Sequence, residues 1–183
     1  MLIDAAKASL LIVDVQERLL PAMANAESVV KRGSILLHAA KALDVPVTVS
    51  EQYPKGLGRT VHALHELVGN APVFEKLSFS CWRDISLRAR LIGLHDTGRP
   101  QVIIAGIEAH VCVAQTAIDL AQSGFGVFVV ADAVSSRAES SVSLALNRMA
   151  QCGIEIINAE MAVFELLGKA GTPEFKALSG LIK

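Results

Sequence analysis

The sequence predicts a three-layer α/β/α domain built on a six-stranded, mostly parallel sheet, Rossmann-like in arrangement. Short runs rich in Val and Ile alternate with longer stretches of helical periodicity, the pattern of a sheet covered by helices on both faces. Several short runs are apolar throughout rather than alternating, as strands buried on both faces must be. A length of 183 residues suffices for one core and hardly for two, so a single domain spanning 1–183 is expected.

The first strand is read at Ser9–Val13, an almost wholly apolar run. Asn25 then offers an N-cap, and Val29, Gly33, Leu36, Leu37, Ala40 and Leu43 recur on one helical face. Pro46 stops that helix and admits a second strand, Val45–Ser50. Gln52–Gly58 carries two glycines and a proline and reads as a loop. A short helix at Val61–Val68, a third strand at Pro72–Glu75 and a helix at about Ile85–Leu94 follow. The fourth strand is Gln101–Ala105, with Gly106 after it, and a helix spans Val111–Gln122. Gly126–Ala131 is the fifth strand and Ile154–Ile157 the sixth. Between them a helix runs from about Arg137 to Gln151, with Ser136 and Glu139 spaced as a capping box. Two terminal helices, Met161–Leu167 and Pro173–Leu181, are expected to cover an edge of the sheet.

Composition narrows the function. Seventeen basic and eighteen acidic residues leave a net charge of -1, so no global field attracts nucleic acid or anionic lipid. No apolar run approaches the roughly 20 residues of a bilayer span, and Asp14, Glu17 and Arg18 interrupt the one N-terminal stretch that imitates a signal peptide. A cytoplasmic protein is expected, with no nucleic-acid or membrane partner. An apolar fraction of 52% exceeds what a small monomer needs and points to a buried subunit interface, hence a homo-oligomer. Cys81, Cys112 and Cys152 form no metal spacing and are odd in number, so each is read as a free thiol.

Parallel strands joined by right-handed crossovers bring their C-terminal ends to one edge, where ligands bind. Asp14, Lys76 and Cys112 all fall at such ends. A thiol of pKa about 8.5 is only about 3% thiolate at pH 7. Lowering it to roughly 6 takes about 3.4 kcal/mol of differential stabilisation, which Lys76 and a helix start are expected to supply. Asp14 is then placed to exchange the thiol proton. The turn Gly106–His110 is placed to aim backbone N–H groups at an oxyanion.

Leu11-Ile12-Val13-Asp14-Val15-Gln16, Glu75-Lys76-Leu77-Ser78-Phe79-Ser80 and Gly106-Ile107-Glu108-Ala109-His110-Val111-Cys112-Val113 resemble, in order, the three signature stretches of isochorismatase-like cysteine hydrolases. Asp132-Ala133-Val134-Ser135-Ser136-Arg137 resembles the family's stretch after its fifth strand, so the likeness covers nearly the whole chain. The resemblance implies that Asp14 is the acid/base, that Lys76 orients it and polarises the thiol, and that Cys112 is the nucleophile. It also implies a cis peptide at Ile107–Glu108, with the N–H groups of Glu108 and Cys112 as oxyanion hole. A small-molecule amide or related C–N bond is the implied target.

The chain departs from the family in two places. Ala109 and His110 stand where Thr and Asp or Asn are common, so substrate contacts by those side chains do not carry over. Nicotinamidase-type members carry an Asp and histidines after the second strand, whereas this chain reads Glu51-Gln52-Tyr53-Pro54-Lys55-Gly56. No metal or other cofactor is therefore expected. Members that cleave the isochorismate vinyl ether lack the thiol, which sets Cys112 against that chemistry.

Gln16, Tyr53, Phe79, Trp82 and His110 lie beside the expected site and are candidates for contact with substrate, although aromatic residues are as often core. His110 also raises the alternative of a Cys–His dyad. Cys81 and Cys152 have no motif around them, so the structural reading of a free cysteine stands for both, with Cys152 read as packing near a helix end. Two other readings stand beside the hydrolase. One is a catalytically silent oligomeric binding protein of the same fold. The other is a redox-sensing thiol, for which no resolving cysteine is visible in the sequence.

Overall fold

The structure, a computed structural model, describes residues 1–182. Among them, six strands form one sheet: β1 (Ala8–Val13), β2 (Val47–Gln52), β3 (Val73–Lys76), β4 (Gln101–Ile107), β5 (Gly126–Ser135) and β6 (Glu155–Ile157). Their order is β3-β2-β1-β4-β5-β6 and every pairing is parallel. The chain winds outward from β1 to β3, then returns to the centre at β4 and winds the other way. Topology therefore switches between β1 and β4, where a crevice opens at the strands' C-terminal ends.

Alternation along the central strands divides the core into two layers. Leu10 and Ile12 of β1, Ile103 of β4 and Phe128 of β5 face one side. There they meet α1 (Ala26–Ala42), α3 (His62–Val68), α7 (Ala159–Leu167) and α8 (Pro173–Ile182). Leu11, Val13, Ile104 and Val129 face the other. They pack on α4 (Ile85–Asp96), α5 (Ala114–Gln122) and α6 (Glu139–Gln151). Burial on both faces explains the nearly continuous apolar runs of β1 and β4.

Asn25 caps α1, its side chain accepting from Ser28 N. The terminal helices depart from expectation. Ala162, Val163 and Leu166 of α7 and Leu178 of α8 join the layer of α1. They thus cover a face, not the edges at β3 and β6. The capping box also fails to form. The residue before α6 is Ala138, which has no side-chain oxygen, and Ser136 turns to His110 instead, with 2.9 Å between Oγ and Nδ1. Within the expected loop Gln52–Gly58, Pro54–Leu57 closes a single turn, α2, behind Tyr53 in the left-handed region.

β1 and β4 approach so closely at Val13 and Gly106 that only glycine fits. Gly106 has φ +126°, and a Cβ there would lie 2.0 Å from the Val13 carbonyl oxygen.

Candidate active site

β1 ends in Asp14, whose backbone turns sharply at φ 52° while its N–H donates to Ser50 O of β2 at 3.1 Å. The turn sends a fully buried carboxylate back over the sheet edge. Each oxygen is satisfied, as a buried carboxylate requires. Ser50 Oγ donates to Oδ1 at 2.7 Å and Lys76 Nζ to Oδ2 at 2.7 Å.

Lys76 closes β3 and is equally buried. Its ammonium also donates to Gln52 Oε1 at 2.7 Å and to the carbonyls of Ser78 and Phe79 at 3.2 and 3.1 Å. Burial alone would depress its pKa. The Asp14 charge, with smaller contributions from Cys81 and Cys112 and the hydrogen bond itself, carries it above the usual lysine value. Lys76 is thus a fixed cation with no lone pair to offer.

Cys112 lies beyond β4 in a π turn, Ala109–Val113, that leads into α5. The turn is defined by bonds such as Val113 N to Glu108 O at 3.2 Å. The Ile107–Glu108 peptide before it is cis. The Glu108 carboxylate accepts from Arg137 N and Nε, at 3.3 and 3.1 Å.

Cys112 is 5% exposed, and its thiol feels the charges of both Asp14 and Lys76. From the sequence its pKa is expected to fall; in this resting site it rises. Burial is the chief cause, and the charge of Asp14 adds to it. Lys76 opposes both and loses, while a hydrogen bond to Asp14 further retains the proton. A nearby cation alone says little when its own counter-ion also touches the thiol.

A second thiol belongs to the same cluster. Cys81 starts a short 3-10 turn, Cys81–Arg83, and is fully buried. Its Sγ donates to Ser50 Oγ at 3.5 Å, and its N–H donates to Thr116 Oγ1 at 2.9 Å. Burial, then the Asp14 charge, pushes its pKa up to about 11 against Lys76 and its hydrogen bonds to Ser50 and Thr116. Sequence reading misses Ser50, Gln52 and Cys81. Only Ser50 and Gln52 carried a signal, as polar residues at the C-terminal end of a strand beside β1.

The five residues considered for substrate contact separate. A cleft of about 710 Å³ opens beside Lys76, lined by Tyr53, Lys55, Leu77, Arg83 and Ile85 among others. Tyr53 is thus at the cleft. Gln16 is not: it is fully buried, its amide donating to Gln52 O and Gly58 O and accepting from Gln52 N. It is a brace between the ends of β1 and β2. Trp82 is partly buried and packs edge-on against Phe125 at 5.5 Å, at the border of the second layer. Phe79 is 55% exposed and reaches the site through its carbonyl. His110 Nδ1 is engaged by Ser136, not by Cys112. Among the described residues, no helix is long and apolar enough to cross a membrane.

The six-stranded, all-parallel, doubly wound sheet is the fold of isochorismatase-like proteins. The chain belongs to the isochorismatase family: the profile described as "Isochorismatase domain" matches residues 8–161. Isochorismatase domain-containing protein 1 of Salmo salar is 41% identical over 170 residues, 93% of this chain and 59% of its own length. The chain therefore spans about three-fifths of that relative. Among solved structures, the MAR1 ribonuclease of Caenorhabditis elegans is 36% identical, with TM-score 0.92 over 100% of this chain and 92% of its own. Two YcaC proteins are each 26% identical with TM-score 0.90. The Pseudomonas aeruginosa protein carries hexane-2,5-diol and covalent acrylamide, with 98% of this chain and 91% of its own covered. The Escherichia coli protein is described as an octameric hydrolase of unknown specificity, with 99% and 90% covered.

Proposed function

We propose that this chain is a metal-independent cysteine hydrolase that opens an amide or related C–N bond of a small molecule through a Cys112 thioester. One observation carries the reading: a single buried carboxylate, Asp14, is bonded to the Lys76 ammonium at 2.7 Å and lies near enough to the buried Cys112 thiol to raise its pKa. Asp14, Lys76 and neutral Cys112 sum to zero charge. Moving the thiol proton to Asp14 keeps that sum at zero and leaves a thiolate beside the Lys76 cation. No charge enters from outside the low-dielectric site, so the transfer avoids most of the burial penalty that opposes loss of the proton to water.

The thiolate attacks the carbonyl carbon, and the N–H groups of Glu108 and Cys112 receive the oxyanion. As the C–N bond breaks, Asp14 returns its proton to the leaving nitrogen. Water then attacks the thioester and passes a proton to Asp14, which restores it to the departing thiolate. Lys76 keeps its protons throughout and holds Asp14 in place. Tyr53 and the apolar rim of the cleft at Leu77 and Ile85 receive the rest of the substrate. The absence of histidine from Glu51 to Gly56 supports metal independence. The covalent acrylamide on the Pseudomonas aeruginosa neighbour supports a site open to electrophiles. A charge of -1 weighs against RNA as substrate, despite the name of the Caenorhabditis elegans neighbour. The octameric neighbour supports a homo-oligomer.

A screen of small amides with iodoacetamide protection tests this. A turnover substrate should shield Cys112 from alkylation, and Cys112→Ala should abolish its cleavage. Full turnover by Cys112→Ala would overturn the covalent mechanism. The upward-held thiol favours a second reading, a catalytically silent binding protein of the same fold. Under that reading Cys112 reacts no faster than Cys152 at neutral pH even when cleft ligands are bound.

A further inference from the structure

Cys81 has no part in the hydrolytic steps, yet a chain of hydrogen bonds links it to the carboxylate that acts on Cys112. Its thiol donates to Ser50 Oγ, and Ser50 in turn donates to Asp14 Oδ1. A cysteine that merely fills the core needs no such directed chain. Its backbone N–H is tied to Thr116 Oγ1, and Thr116 stands four residues beyond Cys112 on the same helical stretch. The anchor ties the Cys81 backbone to the first turn of the helix that follows Cys112. Both sulfurs belong to one apolar cluster, and each raises the Lys76 pKa.

We propose that Cys81 is the resolving thiol for Cys112, so that a small hydroperoxide converts the pair to an intramolecular disulfide. The chemistry balances on groups already described. Cys112 passes its proton to Asp14, and the thiolate attacks one peroxide oxygen. The O–O bond breaks, the S–O bond of a sulfenic acid forms, and the departing hydroxide takes the proton from Asp14 as water. Sulfur is oxidised by two electrons and the peroxide is reduced by two.

Asp14, again a carboxylate, then draws a proton from Cys81 through Ser50. The Cys81 thiolate attacks the Cys112 sulfur and the S–OH bond breaks. The hydroxide leaves as water with the proton that Asp14 holds. A thiol held up to about 11 is a poor nucleophile unless a base is wired to it, and the Ser50 relay is that wire. The product keeps Cys112 at the reversible end of the oxidation ladder, away from sulfinic acid. It also removes the sulfur that the proposed hydrolysis requires until a thiol reductant restores it.

The test is peptide mapping of the intact wild-type chain after brief treatment with hydrogen peroxide, with remaining thiols alkylated under denaturing conditions. The expected main product is a Cys81–Cys112 linked peptide pair, lighter by two hydrogens and released by dithiothreitol. Ser50→Ala should still form the sulfenic acid, trapped with dimedone, but close the disulfide about tenfold more slowly or worse. Cys81→Ala should accumulate Cys112 sulfinic acid. Cys112 sulfinic acid in the wild type with Cys81 still alkylatable would overturn the proposal. So would chains joined through Cys152, or a Cys112 that peroxide leaves unoxidised. The mapping needs no folded variant, and amide cleavage plays no part in it. A chain that hydrolyses amides but forms no such disulfide loses this inference alone.

Discussion

Lys76 Nζ lies 2.7 Å from Asp14 Oδ2, with both side chains wholly shielded from solvent. The cation that would lower the Cys112 pKa is thereby half-spent on the carboxylate that raises it. Removing only the carboxylate charge separates the two influences. Asp14→Asn keeps the shape, deletes the negative charge and leaves Lys76 facing the thiol alone. Iodoacetamide should then label Cys112 faster than in the wild type at pH 7, and the pH profile of labelling should shift to lower pH. The proposed hydrolysis should fall by about 10²- to 10⁴-fold, because the proton carrier assigned to it is gone. Labelling no faster than wild type would show that Asp14 does not govern the thiol.

Lys76→Met poses the complementary case. Asp14 would then be a fully buried carboxylate without its counter-ion, and breaking such a pair from one side costs about 3–5 kcal/mol. Urea denaturation should register that loss. Combining Lys76→Met with Asp14→Asn should recover a large part of it, since no charge then remains to be buried. Additive losses in the double variant would mean that the pair is not energetically coupled.

Glu51 governs a different property, resistance to acid. Its side chain is 3% exposed. Thr60 N and Oγ1 donate to Oε1 at 2.7 and 2.8 Å, and Arg59 Nη1 donates to Oε2 at 2.9 Å. Burial opposes ionisation, but the donors from Thr60 and Arg59 outweigh it and hold the carboxyl below the usual Glu range. A folded pKa below the unfolded one stabilises fully above about pH 4.3 and is lost as pH falls through the folded value. Glu51→Gln should therefore be less stable than wild type at pH 7, with the gap between their urea midpoints closing toward pH 3. A gap that stays constant or widens in acid contradicts this assignment.

Much of this site was legible because one topological rule does the placing. In a parallel sheet, residues that end β1, β3 and β4 share an edge whatever their sequence separation, so Asp14, Lys76 and the turn before Cys112 follow from recognising the strands. Other features depend on where single hydrogen bonds go. Ser136 has the spacing of a cap, but His110 competes for its hydroxyl. Gln16 looks like a site residue by position, yet backbone groups of Gln52 and Gly58 consume its amide. Cys81 reaches the cluster only because a 3-10 turn and the Thr116 hydroxyl carry it there. The direction of the Cys112 shift was hidden for a related reason: it is a balance of burial and two opposite charges, and order along the chain does not encode their separations.

Beneath the site, β1 and β4 approach each other with no room for a side chain. Gly106 pairs with Val13 across β1 and β4, the strands that deliver Cys112 and Asp14. At φ +126° an L side chain is strained by about 1–3 kcal/mol before any contact is counted. Its Cβ would also meet backbone, at 2.0 Å from Val13 O and 2.7 Å from Val13 N, and backbone in a central strand cannot rotate aside. Gly106→Ala should therefore cost at least about 3 kcal/mol, and for a domain of this size a melting point lower by roughly 6–12 °C. Gly168→Ala is the control: φ is +64° at the end of α7 and nothing lies within 4 Å of its added Cβ. It should cost only about 1 kcal/mol from backbone preference. Comparable losses in the two variants would mean that the close approach of β1 and β4 carries no energetic weight. A large loss at Gly106 alone ties the close approach of the strands that precede Asp14 and Cys112 to a single missing methyl group.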